Sequence, residues 1–208
     1  SILKTKMETG KNRTDYYTFD TCTAMSYGIT ALALDKYYYA GERNELLNEY
    51  ARFQFNDSLA INNIVGSDSL VYKKTVLNRT YEGREMLLKT LSTNSYTRIR
   101  IIQYADSVFI LNVKGHYELL TDDKADIFFN SFSFTKDNVS SSAFDSKTDL
   151  LLKDLQSADS ARSKTAADAL NRGFRFPEQD LQIMLDAFLY DYSKVNSKGF
   201  NVPLLLSQ

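Results

Sequence analysis

Tryptophan is missing from this chain, and cysteine and histidine occur once each in 208 residues, as Cys22 and His116. A lone cysteine has no intrachain partner, so no disulfide staples the fold and the redox compartment stays open. A Ser-His-acid or Cys-His site would have to recruit His116, which stands in KGHYELL, and no G-x-S-x-G nucleophile motif accompanies it. Glycine (8) and proline (2) are scarce, which argues against glycine-rich loops that cradle phosphates. Charge of one sign is lacking too: 25 Lys plus Arg nearly balance 26 Asp plus Glu, for a net charge of -1. There is thus no electrostatic footprint for nucleic acid and no polybasic segment for a membrane surface. No apolar run approaches the roughly 18–20 residues that span a bilayer.

What is present is an aromatic-rich globular composition, 43% hydrophobic with 14 Tyr and 13 Phe. The periodicities predict an α+β fold. Residues 14–34, TDYYTFDTCTAMSYGITALAL, alternate as a strand hairpin, with Tyr17 and Phe19 on one face and then Met25, Tyr27 and Ile29 on one face. GERNELLNEYARFQF follows as a helix ending near Asn56, with Leu46, Leu47, Tyr50 and Phe53 on its stripe. After a turn at GSDS come four strands, LVYKKTVLN, GREMLLKTLS, YTRIRIIQY and SVFILNVKG, split by runs too short for helices. Met86-Leu87-Leu88 and Val108-Phe109-Ile110-Leu111 are apolar on both faces, so the antiparallel meander needs a cover on each side. The Leu46 helix is one cover. TDDKADIFFNSF is the other, with Thr121 as N-cap, Asp122 and Asp123 in the first turn, and Ala125, Phe128, Phe129 and Phe132 on its stripe.

From about residue 136 the polar link TKDNVSSSAFDSKT ends the strand signal, and TDLLLKDLQ, SARSKTAADALN and PEQDLQIMLDAFLYDY read as three helices with Pro177 at an N1 position. The expected division is 1–135, an antiparallel sheet between helices, and 136–208, a helical segment. The plain reading of that segment is a bundle packed against the sheet domain. The sharper one is the start of a helix-pair repeat, whose apolar face is covered by stacking. The start at Ser1 and the end at Gln208, just after VPLLL, read as cuts from a longer chain, which leaves room for, without implying, a signal peptide, lipoprotein anchor or further C-terminal domain outside it.

Gly83-Arg84-Glu85 opening a strand, the hairpin RIRIIQYADSVFILNVKG and the closing ADIFFNSFSF together resemble the Mog1/PsbP-like fold, an α/β/α sandwich, over roughly residues 14–134. The helical segment resembles HEAT-like repeats. The sandwich resemblance implies a bacterial envelope protein that binds partner proteins or serves as an accessory subunit, without catalysis. Four Asp-Ser triplets, at Asp57, Asp68, Asp106 and Asp159, resemble the acceptor pattern for serine O-glycosylation on exported Bacteroidetes proteins; Asp-Ser is also ordinary turn chemistry.

The candidate binding residues lie on the central strand. Arg98 and Arg100 share one face, with Ile99 and Ile101 on the other, and if the arginine face is exposed the pair forms a partner-binding patch with Tyr96 and Tyr104. The alternative is an arginine pair running past a covering helix. His116 is the remaining candidate, as a loop histidine with a solvated ring. Asp122, Asp123 and Asp126 could hold a hard cation, but the helix-start role explains the first two and a calcium-loop glycine is missing. Glu82 and Glu85 read as strand-end charges rather than an acid/base pair. The expectation is therefore an extracytoplasmic, noncatalytic protein-binding or scaffold module with a protein partner, no nucleic acid, no metal and no cofactor. The runner-up is a small-ligand-binding or hydrolase-like domain with a pocket between the sheet and the first helix.

Overall fold

In a computed structural model, residues 3–8, 12–51, 69–77, 81–90, 93–134 and 142–190 are described. The end of the first helix near Asn56, most of the GSDS turn, the first half of the serine-rich link, the Asp57 triplet and the C-terminal VPLLL lie outside these residues. The chain divides into two compact units: Ser1–Leu34 with Arg43–Ser142, and Asp35–Glu42 with Ala143–Gln208.

The first unit is built on a seven-stranded antiparallel sheet in the order β1-β2-β3-β7-β6-β5-β4. Its strands are β1 (Leu3–Glu8), β2 (Arg13–Asp20), β3 (Met25–Ala33), β4 (Ser69–Leu77), β5 (Glu82–Thr90), β6 (Ser95–Tyr104) and β7 (Ser107–Gly115). The expected hairpin is β2–β3 and the expected meander is β4 to β7; β1 at the edge is an addition to the sequence reading. The turns store left-handed backbone at Ala24 (φ 55°), Asn94 (φ 49°) and Ala105 (φ 54°), which reverses the chain in two to four residues.

Strict alternation sorts the sheet into two faces. Glu85, Leu87, Arg98, Arg100, Ile102, Leu111 and Val113 share one; Met86, Ile99, Ile101, Ile110 and Asn112 share the other. The first face is covered by α2 (Tyr117–Leu120) and α3 (Asp123–Ser131), through a core of Met25, Tyr81, Leu87, Ile102, Leu111, Val113, Leu120, Ala125 and Phe129. The opposite face is approached by α1, residues 43–51, whose Leu46 and Leu47 are buried and whose Asn44 and Asn48 accept hydrogen bonds from Arg84 and Lys73. The N-cap of α3 is Asp122, whose carboxylate accepts from the Asp123 N–H at 2.8 Å. Thr121 does not cap this helix: its hydroxyl donates to the carbonyls of Tyr117 and Glu118 at the end of α2, a one-turn helix that starts just after His116.

In the second unit α4 (Thr148–Leu155), α5 (Ser160–Asn171) and α6 (Leu181–Tyr190) surround Tyr37, Leu151, Leu155, Ala166, Leu170, Phe174 and Met184. Residues 35–42, expected in the sheet domain, belong here because Tyr37 enters this core and the Ala40 N–H donates to the Ala143 carbonyl. Pro177 stands one position earlier than expected, as the cap of a 3-10 turn (Glu178–Asp180) that leads into α6.

Candidate functional site

The structure removes the condition on which the arginine patch rested. Arg98 and Arg100 are buried to 6% and 3% exposure, and Glu85 between them is fully enclosed. In the β5–β6 register Glu85 faces Arg100 directly and Arg98 is the diagonal neighbour beside Leu87. Arg98 donates from Nε to Glu85 Oε1 at 3.0 Å and from Nη1 to the Leu120 carbonyl at 3.0 Å, with Nη2 on Asp126 at 2.6 Å. Arg100 donates from Nε and Nη2 to Glu85 Oε2 at 2.9 and 2.7 Å and from Nη1 to the Phe129 carbonyl at 3.1 Å. Both guanidinium groups lie about 5 Å from the Phe129 ring centre, at 5.0 and 4.9 Å. These arginines bind α3 to the sheet and offer no surface for a partner. Burial alone pushes the Glu85 carboxyl up, but Arg100, Arg98 and Lys74 outweigh it and hold it below the ordinary carboxylate range.

Tyr104 is half-buried and stacked on Phe134, with ring centres 3.8 Å apart and planes 5° from parallel. His116 is exposed at the start of α2, with no side-chain capping bond. The four residues expected to form a site are therefore not gathered into one. Asp122 and Asp126 are likewise occupied, as helix cap and as Arg98 partner, and among the described residues no three His, Cys, Asp or Glu side chains converge as metal ligands.

A different group of residues lines a recess of about 470 Å³ between α1 and the sheet. Arg13 and Tyr17 come from β2, Thr30 and Leu32 from β3, Ile110 and Asn112 from β7, and Glu49 and Tyr50 from α1. Strand register brings the sheet residues together: Arg13 pairs with Leu32, Thr30 with Ile110, and Tyr17 and Asn112 both with Gly28. Buried Asp15 fixes the rim, accepting from Arg13 Nε at 2.8 Å and from the Thr30 hydroxyl. The bond to Asp15 holds the Arg13 guanidinium above its ordinary value, and so charged at any physiological pH. Burial, then the Glu49 charge, pushes the Tyr50 phenol up and keeps it a neutral donor. The recess thus combines a cation, an acid, two phenols and a carboxamide over a floor of Leu32 and Ile110, in the size range of about 300–1,000 Å³ that takes small ligands or inserted side chains. The sequence signal for it was only general, a pocket between sheet and first helix; the individual residues come from four elements and share no motif.

No protein-family model matches this chain, and no curated protein does. Among solved structures the chain is similar to the solution structure of cyanobacterial PsbP (CyanoP) from Synechocystis sp. PCC 6803, with a TM-score of 0.50 and 4% identity, over 62% of this chain and 78% of that one. At that identity the likeness is one of fold: an antiparallel sheet with helices, PsbP-like and α+β.

Proposed function

We propose that this chain is a noncatalytic binding module that works outside the cytoplasm and holds its ligand, a segment of a partner protein or a small molecule, in the recess between α1 and the sheet. The observation that carries the reading is the recess itself, in which polar Arg13, Glu49 and Asn112 stand beside apolar Leu32 and Ile110. His116, on which histidine-based hydrolysis would depend, is not among the lining residues. The location outside the cytoplasm draws support from the PsbP-like fold. The Asp-Ser triplets add less, since Asp159 caps α5 by accepting from the Ala161 N–H at 2.9 Å and Asp106-Ser107 closes the β6–β7 turn.

A second reading, a scaffold role for a HEAT-like helical unit, is favoured by α6, where Leu181, Ile183 and Leu189 are exposed. The two are separated by titrating the isotope-labelled full chain with a panel of short peptides and small molecules and following amide shifts. Saturable shifts at Leu32, Ile110 and Asn112 that vanish in Leu32→Trp support the recess. Peptide-induced shifts confined to Leu181, Ile183 and Leu189 would move the function to the helices, and no saturable shift at either place would overturn the binding-module reading.

A further inference from the structure

We infer that the recess selects ligands bearing a neutral amide, and that Asn112, seated on Gly28, is the residue that reads it. The inference rests on the reading of the recess as a binding site and adds the chemistry of its ligand. Gly28 and Asn112 are directly paired in the β3–β7 register, and both are poor choices for the middle of a sheet. Glycine is not needed there for conformation, since the left-handed glycines among the described residues are Gly41 and Gly173. It is needed for space: a Cβ at residue 28 would lie 2.7 Å from Asn112 Oδ1, 2.8 Å from Nδ2 and 3.1 Å from Cγ. The carboxamide therefore lies flat against the Gly28 backbone, and another residue at position 28 would displace it.

The Asn112 carboxamide lines the recess and has no hydrogen-bond partner among the described residues. Its neighbours along β7, Leu111 and Val113, are fully buried. A half-buried amide without a partner weakens the folded state, because its donor and acceptor have given up part of their water. A planar ligand group with adjacent C=O and N–H restores both bonds at once, the carbonyl accepting from Nδ2 and the N–H donating to Oδ1. The phenols of Tyr17 and Tyr50 line the same recess and suit an aromatic body attached to that amide.

A primary amide carries this pair on one group; a peptide, whose trans bond points its own C=O and N–H in opposite directions, presents it as the N–H and C=O of one extended residue or as a terminal amide. The test titrates the full chain with benzamide, with methyl benzoate, which keeps the shape but lacks the N–H, and with the peptide acetyl-Ala-Phe-Ala-amide, reading the backbone amide resonances of Leu32 and Ile110 in parent and variants and, in the parent, the Asn112 side-chain NH₂ as well. Saturable shifts with benzamide at least about tenfold tighter than with the ester, abolished in Asn112→Leu and in Gly28→Ala, are the expected result. Tighter binding of the peptide than of benzamide assigns the amide to a protein partner; the reverse assigns it to a small molecule. Asn112→Leu should fold with an unfolding midpoint no lower than the parent, which separates lost recognition from lost structure. Equal binding of amide and ester, or a preference that survives Asn112→Leu, overturns the inference. If other compounds occupy the recess and no amide does, the inference falls and the recess stands; if nothing occupies the recess, both fall.

Discussion

Glu85 and Arg100 face each other across β5 and β6, the guanidinium closing on one carboxylate oxygen at 2.7 and 2.9 Å with both side chains sealed from solvent. Because Arg98 shares the same carboxylate, Glu85→Ala leaves two buried cations without their common anion. A loss of about 3–5 kcal/mol in urea unfolding is expected, the range for breaking a buried pair by removing one partner. Replacing all three together, Glu85→Met with Arg98→Met and Arg100→Leu, should cost far less. The depressed Glu85 carboxyl adds stability that is present above its unfolded value of about 4.3 and lost as pH falls through the lower folded value. An acid unfolding curve for Glu85→Gln should therefore lack part of the parent's pH dependence.

Tyr72 approaches the same cluster from the edge strand, its hydroxyl donating to Glu85 Oε1 at 3.1 Å. Burial first, and then the Glu85 charge, pushes its phenol up to about 12. The folded state thus holds this proton more tightly than the unfolded chain does, and the stability it adds is present below about pH 10 and lost as pH rises toward 12. In an ultraviolet phenolate titration the difference between the parent and Tyr72→Phe should appear about two pH units later than for a solvated tyrosine; a difference centred near pH 10 would show the phenol free of the carboxylate.

Two neighbouring phenylalanines of α3 differ in how they should respond to truncation. Phe129 is fully buried between the arginines and the sheet core, whereas Phe128 is half-buried and meets Tyr27 at 5.2 Å. Phe129→Ala should cost about 3–5 kcal/mol, as large-to-small changes of buried aromatics do, and Phe128→Ala clearly less. Calorimetric midpoints for the two variants check the order. Equal losses would mean that α3 is rotated by up to about 50° about its axis, half the angle between adjacent helical residues, from the orientation described here.

What could be read from the sequence follows the range over which each signal acts. Alternation in residues 82–115 and the stripe of Ala125 and Phe129 are local, so the meander and its helical cover were legible, and their order was enough to suggest the PsbP-like likeness. The partner of Arg98 was not: whether an arginine on a strand faces water or a carboxylate depends on α3 crossing above it, about 30 residues downstream of Arg98. Residues 35–42 failed for the same reason, since Tyr37 joins Leu151 and Asp154 across more than 110 residues of chain. The recess needs strand register as well as helix placement, and neither Gly28 nor Asn112 announces its pairing with the other.

That long-range tie of Tyr37 can be measured. Its hydroxyl donates to Asp154 Oδ2 at 2.8 Å within the helical unit, and Lys36 pairs with the same carboxylate. Burial, reinforced by Asp154, drives the Tyr37 phenol well above its ordinary value, while Lys36 and then Tyr37 hold the Asp154 carboxyl below its own. Tyr37→Phe removes one charge-assisted hydrogen bond and should cost about 1.5–3 kcal/mol. Asp154→Ala removes the acceptor from a buried phenol and an ammonium at once and should cost at least as much. The double variant should then fall short of the sum, because the second change has nothing left to break. The Asp154 share of stability is present above about pH 4 and lost as pH falls through the depressed folded value, so the Tyr37–Asp154 coupling should shrink in strong acid. Additive losses at neutral pH would mean that residues 35–42 are not held to α4 through this bond.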